Sequence, residues 1–80
     1  MIFTADEEQT VTRGTYNYVA APGTGSITLN YAPAGVMTLV NSNGIVNGVV
    51  TAADTDLIVL PTCRFKAGLT GDATFELYKA

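Results

Sequence analysis

The clearest strand signal in this chain is the sequence SITLNY, residues 26–31. Apolar and polar residues alternate strictly along it, so that Ile27, Leu29 and Tyr31 share one face. A period of two residues is typical of a strand with one face in a core and the other in water. The stretch therefore predicts a half-buried β-strand.

The same alternation recurs twice near the end of the chain, in Cys63–Ala67 and Ala73–Tyr78. Between these two strands lies the glycine-rich connection Gly68–Asp72, which favours a hairpin. In such a hairpin the outward side chains of Lys66 and Glu76 share a face, and we expect them to pair weakly there. The residues predicted to face inward are Cys63, Phe65, Ala67, Phe75 and Leu77.

Other predicted strands carry apolar residues on both faces. This is so for Thr10–Ala20, Val36–Val40 and Gly44–Thr51, while Leu57–Leu60 is apolar at every position, as in a strand buried on both sides. A domain of 80 residues cannot bury both faces of four strands by itself. The pattern therefore favours a protein partner that covers part of this surface.

The spacing of turn signals decides the fold class. Apolar residues do not recur at helical spacing. Turn-forming residues (Gly, Pro and Asn-Gly pairs) occur every eight to twelve residues, and they predict tight turns at Asn43-Gly44 and Asn47-Gly48. We predict an all-β fold, a compact antiparallel β-sandwich or partly open barrel of six to eight short strands. Residues 9–80 form a single β domain, and residues 1–8 are either its N-terminal strand or an arm lying on a neighbouring subunit.

Half of the chain, from Gly14 to Ala53, contains no charged residue. Soluble proteins usually disperse both charge signs over their surface, so this gap again favours coverage by another protein. The net charge is −3, and the basic residues are few and scattered. Nucleic acid and anionic membranes are therefore not expected partners.

Chemistry-bearing residues are sparse. The chain has no His, and Cys63 is its only cysteine, which we interpret as a buried structural thiol in a reducing compartment. Asp54-Thr55-Asp56 resembles the start of a calcium loop but is followed by apolar residues, so we interpret it as a turn. We expect no cofactor, no metal and no enzymatic activity. The N-terminus lacks the basic and apolar regions of a signal peptide, so we expect no export by that route.

Six residues are candidates for contact with a partner. The chain begins with an apolar trio, and two tyrosines stand two positions apart on one face of a predicted strand. Tyrosine is favoured at interfaces because it joins apolar area to a hydroxyl group, and methionine is an adaptable contact. The candidates are Met1, Ile2, Phe3, Tyr16, Tyr18 and Met37.

In overall character, and in stretches such as Gly25–Tyr31 and Gly71–Tyr78, the chain resembles the small all-β virion proteins of tailed bacteriophages. The resemblance is to capsid decoration or cement proteins in particular. It implies a structural subunit made in the host cytoplasm and carried on the virion, bound to the major capsid protein and self-associated as a trimer. The alternative is a small β-sandwich module that binds a glycan or a host-surface receptor.

Overall fold

Alternating burial defines the strands of this protein. The structure, a computed structural model, describes residues 1–42 and 44–80. Within these ranges the chain forms nine strands and no helix. The strands are β1 (Ile2–Phe3), β2 (Glu8–Val11), β3 (Gly14–Ala21), β4 (Ser26–Ala32), β5 (Thr38–Leu39), β6 (Val49–Val50), β7 (Asp54–Leu60), β8 (Cys63–Thr70) and β9 (Thr74–Lys79).

The strands pair into two antiparallel sheets. One has the order β1-β9-β3-β7, and the other has the order β2-β8-β4-β5, with β6 also paired to β4. Side chains from both sheets form one buried core, so the predicted all-β sandwich is confirmed. The described strands number nine rather than six to eight because β1, β5 and β6 are pairings of two residues each.

Aromatic rings fill the centre of the core. Phe75 of β9 stacks on Phe65 of β8 with ring centroids 5.7 Å apart, which joins the two sheets. Phe3 packs against both rings at 5.4 and 5.6 Å. Such pairs stabilise a core by about 0.5–1.5 kcal/mol beyond the burial of their area. The inward faces predicted for β4, β8 and β9 are confirmed by the burial of these side chains and of Ile27 and Leu29.

The predicted single strand Thr10–Ala20 is wrong. The chain forms β2 in one sheet, crosses at Thr12 and Arg13, and continues as β3 in the other sheet. The Tyr16 hydroxyl donates a 2.6 Å hydrogen bond to the Thr12 carbonyl oxygen across this crossing. A tyrosine that bonds back to the backbone a few residues upstream is the device that fixes such corners in other β-sandwiches.

The predicted hairpin between the last two long strands is also wrong. Strands β8 and β9 lie in different sheets, so the turn at Gly71 and Asp72 carries the chain from one layer to the other. Lys66 and Glu76 consequently lie on opposite outer faces. The Asp72 carboxylate instead accepts a 2.8 Å hydrogen bond from the Thr24 N–H, which joins two corners at one end of the sandwich.

Strand β7 departs from its sequence interpretation in two ways. It is an edge strand that pairs only with β3, so Ile58 and Leu60 are buried while Leu57 and Val59 are 53% and 76% exposed. The predicted burial of both faces is therefore wrong. The predicted turn at Asp54–Asp56 is also wrong, because these residues begin the strand.

The predicted tight turn at Asn47-Gly48 is confirmed. Both residues have positive φ, 50° and 79°, and Val46 and Val49 exchange two backbone hydrogen bonds across them. Two central residues with positive φ define the type I′ turn, for which Asn-Gly is the preferred sequence. Asn43, the first residue of the other predicted Asn-Gly turn, lies outside the described residues.

Candidate docking surface

The N-terminal residues are built into the sheet. The backbone of Ile2 and Phe3 pairs with β9, and the Met1 ammonium group donates to the Leu77 carbonyl oxygen at 2.9 Å. Phe3 belongs to the core and is not available to a partner. Met1 and Ile2 keep exposed side chains, with Ile2 66% exposed.

The two tyrosines proposed for an interface are core residues, and that assignment is wrong. Tyr16 and Tyr18 are only 4% and 0% exposed. The Tyr18 hydroxyl donates a 2.6 Å hydrogen bond to Asp54, and burial followed by this bond raises the pKa of the phenol. Their strand turns this face to the aromatic core, where the Tyr18 ring stacks on Phe75. The remaining candidate, Met37, is half-buried in the segment before β5.

The outward face of the β1-β9-β3-β7 sheet carries one charged residue, Glu76, among its outward strand positions. We call it the neutral face. Cross-strand register places its side chains in rows, with Ile2, Glu76, Val19 and Thr55 in one row and Tyr78, Asn17 and Leu57 in the next. The neutral face consists of Ile2, Thr15, Asn17, Val19, Thr55, Leu57, Val59, Thr74, Glu76 and Tyr78.

Glu76 is the single charged residue of the neutral face, and it has a partner within that face. The Tyr78 hydroxyl donates a hydrogen bond to the Glu76 carboxylate, which raises the pKa of the Tyr78 phenol. The exposed aliphatic side chains lie at the two edges of the sheet, Ile2 on β1 and Leu57 and Val59 on β7. Large exposed apolar side chains with little charge among them are characteristic of protein contact surfaces.

The outward face of the other sheet carries more charge. Glu8, Arg64 and Lys66 lie on neighbouring strands there, and the Arg64 guanidinium forms a 3.1 Å ion pair with the Glu8 carboxylate. This face has the mixed charge of an ordinary water-exposed surface. The two outward faces of the sandwich therefore differ in character.

A smaller exposed apolar cluster lies at the edge of this charged sheet, and we call it the hairpin patch. Val46 and Val49 flank the Asn47-Gly48 turn and are both exposed. Leu39 on β5 is also exposed and lies next to Gly48, because a Cβ added at Gly48 would come within 2.9 Å of the Leu39 side chain. The hairpin patch consists of Leu39, Val46 and Val49.

The backbone of β7 has its own protection against strand pairing. The N–H groups of Thr55 and Leu57 donate to the carboxylates of Asp54 and Asp56 at 2.9 and 2.7 Å. These donors are therefore not available to an incoming strand. Natural sheets use charged side chains at their edges to prevent uncontrolled pairing.

The chemical inventory of the described residues is small. Cys63 is buried, and burial raises the pKa of its thiol. Residues 1–42 and 44–80 contain no group of three metal-ligating side chains and enclose no pocket. No helix long and apolar enough to cross a membrane occurs in the same residues.

Comparison of the chain with protein-family models, curated proteins and solved structures finds no match in any of the three.

The neutral face was missed by sequence reasoning because it is assembled from four separated strands. The sequence nevertheless contained a sign of it in the apolar run Leu57–Leu60. Successive side chains of a strand point to opposite faces, so if only one face of β7 packs on the core, either Leu57 and Val59 or Ile58 and Leu60 must face outward.

Proposed function

We propose that this protein is a non-enzymatic structural subunit that docks onto a larger protein assembly. The observation that carries the proposal is the neutral face, which holds three well-exposed aliphatic side chains and one charge. A surface of this kind is stabilised when protein rather than water covers it.

The size of the neutral face bears on how such docking works. Four strands about 4.8 Å apart and up to 8 residues of about 3.4 Å give a face of at most roughly 500 Å². Covering the apolar half of it is worth about 6 kcal/mol at about 25 cal/mol per Å². Association itself costs about 4–15 kcal/mol. One face binds only weakly, so attachment depends on several contacts made together.

For the identity of the assembly we propose the capsid of a tailed bacteriophage, with the major capsid protein as partner and the virion as location. Support comes from the resemblance of Gly25–Tyr31 and Gly71–Tyr78 to phage virion β-proteins. A small sandwich with a sheet face that carries a single charge suits a role in which many copies clamp neighbouring shell subunits. The mechanism is physical, since each bridge turns the next contact into an intramolecular one.

The test is cosedimentation of the purified protein with capsids of the phage that encodes it. We expect the natural protein to pellet with capsids and Leu57→Glu to remain in the supernatant, because the substitution puts a charge into the neutral face. Thr10→Glu is the matched control, since Thr10 is exposed on the opposite sheet beside Arg64. Failure of the natural protein to bind capsids, or equal binding by Leu57→Glu, contradicts the proposal.

The alternative of a glycan-binding module has lost its main support. It depended on tyrosines as an aromatic platform, and Tyr16 and Tyr18 are buried. Tyr78 is exposed, but its hydroxyl is bonded to Glu76. Specific retention of a sugar on a glycan array, together with no capsid binding, would restore that alternative.

A further inference from the structure

We propose that Asn47 is a site of spontaneous deamidation in this chain, and that the fold suppresses the reaction by withholding the backbone nitrogen of Gly48. The inference goes beyond the proposed function and does not depend on it. Asn is among the thermolabile residues of proteins, and a following Gly has no side chain to obstruct attack on it. The sequence contains two such pairs, Asn43-Gly44 and Asn47-Gly48, and the second lies wholly within the described residues.

The reaction needs only the chain and water. The Gly48 nitrogen attacks the side-chain amide carbon Cγ of Asn47, and the new N–Cγ bond closes a succinimide ring. The bond from Cγ to Nδ2 breaks, and Nδ2 leaves as ammonia with the proton that the Gly48 nitrogen gives up. Water then opens the ring at one of its two carbonyl carbons, which leaves either Asp or isoaspartate in place of Asn47. The step therefore requires a Gly48 N–H that can lose its proton.

The structure withholds that N–H from solvent. The Gly48 N–H donates a 2.7 Å hydrogen bond to the Val40 carbonyl oxygen, and the Gly48 carbonyl oxygen accepts one of 2.7 Å from the Leu29 N–H. Gly48 is buried, whereas Asn47 is exposed. Breaking these bonds without opening the segment would leave buried backbone groups unpaired, which is costly. The reactive side chain thus lies in water while the atom that would attack it does not.

Neighbouring contacts hold the turn closed. The Asn47 N–H donates to the side-chain oxygen of Asn41 at 2.9 Å. Val46 and Val49 exchange backbone hydrogen bonds of 3.2 and 3.0 Å across the turn, and Ile45 just before it is buried in the core. Exposure of the nitrogen therefore needs several contacts to break together. In the folded chain deamidation waits for this local opening.

The same geometry explains why so reactive a pair stands here. Asn47 and Gly48 have φ of 50° and 79°, and a turn with two positive φ values prefers Asn-Gly. A Cβ added at Gly48 would lie 2.7 Å from the Leu29 carbonyl oxygen, so the packing requires glycine. The turn thus imposes the reactive sequence, and the close packing that requires its glycine also blocks the reaction.

The two products have different consequences. Asp keeps the backbone of the turn and, like Asn, tolerates the left-handed region. Isoaspartate routes the backbone through the side chain, which lengthens it ahead of Gly48 and displaces that residue from Val40 and Leu29. The turn that presents Val46 and Val49 of the hairpin patch is then lost. Burial of the Gly48 nitrogen therefore preserves the shape of the hairpin patch for as long as the segment stays closed.

The experiment compares the folded chain with the same chain unfolded in guanidinium chloride, both incubated at mildly alkaline pH. Tandem mass spectrometry of peptides assigns the deamidation to individual Asn residues. Asn47 is expected to react in the unfolded chain and to react about tenfold or more slowly in the folded chain, because closed segments open rarely. Equal rates in the two states, or no reaction of Asn47 in the unfolded chain, overturn the inference.

Two matched variants and an exchange measurement test the role of local opening. Val40 supplies the acceptor for Gly48, and Val11 lies on β2 at the opposite edge of the same sheet; both side chains are buried. Val40→Ala is expected to speed deamidation of Asn47 severalfold more than Val11→Ala. If Val40→Ala does not fold, hydrogen exchange of the natural chain decides, with a strongly protected Gly48 amide expected. Equal acceleration by two folded variants, or an unprotected Gly48 amide, contradicts the inference.

Discussion

Replacing Tyr16 by Phe tests the corner on which the two-layer arrangement depends. The Tyr16 hydroxyl is partly buried and donates a 2.6 Å hydrogen bond to the Thr12 carbonyl oxygen at the crossing from β2 to β3. The substitution removes this bond and the 3.2 Å hydrogen bond between the Thr12 and Tyr16 hydroxyls, while keeping the ring and its packing. The loss of one such bond typically costs about 1 kcal/mol, within a range of about 0.5–1.5 kcal/mol.

That loss is measurable against the stability of so small a domain. A domain of 80 residues has a free energy of unfolding of about 4–12 kcal/mol. A decrease of about 1 kcal/mol lowers the melting temperature by about 4–8 °C. In urea, where small domains lose about 1 kcal/mol per molar, the midpoint should fall by up to about 1 M with an unchanged slope.

Tyr31→Phe is the matched control for this prediction. Tyr31 is half-buried against the core, and no hydrogen bond of its hydroxyl is found among residues 1–42 and 44–80. We expect its free energy of unfolding to stay within about 0.5 kcal/mol of that of the natural chain. Equal unfolding midpoints for Tyr16→Phe and Tyr31→Phe would refute the claim that the Tyr16 hydroxyl stabilises this corner. A Tyr16→Phe variant that keeps its stability but loses self-association would show that Tyr16 belongs to an interface after all.

Three further predictions follow from the opposite corner and from the core. Gly25→Ala should abolish folding or cost several kcal/mol in thermal unfolding, because the added Cβ would lie 1.7 Å from the Thr70 carbonyl oxygen; a variant of natural stability contradicts this. Hydrogen bonds from Thr24 hold the pKa of Asp72 below its ordinary value, so its stabilisation is complete above the unfolded pKa and is lost as pH falls through the folded one. Acid titration of unfolding should therefore show a smaller loss between pH 5 and pH 2 in Asp72→Asn than in the natural chain, and equal losses would contradict the assignment. Cys63 should react with a thiol reagent at the rate of unfolding rather than at the rate of a free thiol, and fast labelling of the folded chain would place the thiol outside the core.

The sequence allowed the strands to be predicted where burial alone decides their pattern. In β4, β8 and β9 every second residue enters the core, so the inward faces followed directly from the alternation. Alternation does not reveal which sheet a strand joins. The connections at Thr12-Arg13 and at Gly71-Asp72 have the composition of ordinary turns, yet each carries the chain between layers.

The position of the neutral face could not be predicted from the sequence. The uncharged stretch Gly14–Ala53 indicated a covered surface, and β3 contributes Asn17 and Val19 from it to the neutral face. The most exposed aliphatic residues of that face, Ile2 and Val59, lie outside the stretch and are placed on the same sheet face, at its opposite edges, only by strand pairing. Tertiary register cannot be derived from one sequence, and the outward half of an apolar run resembles its buried half.

Hydroxyl-radical footprinting tests most directly the claim that the neutral face is a contact surface. Side-chain labelling is compared between dilute protein and concentrated or capsid-bound protein, with Leu57 and Tyr78 as reporters and the exposed Thr10 as reference. We expect labelling of Leu57 and Tyr78 to fall severalfold on assembly, while labelling of Thr10 is unchanged. Undiminished labelling of Leu57 and Tyr78 in the assembled state would contradict it.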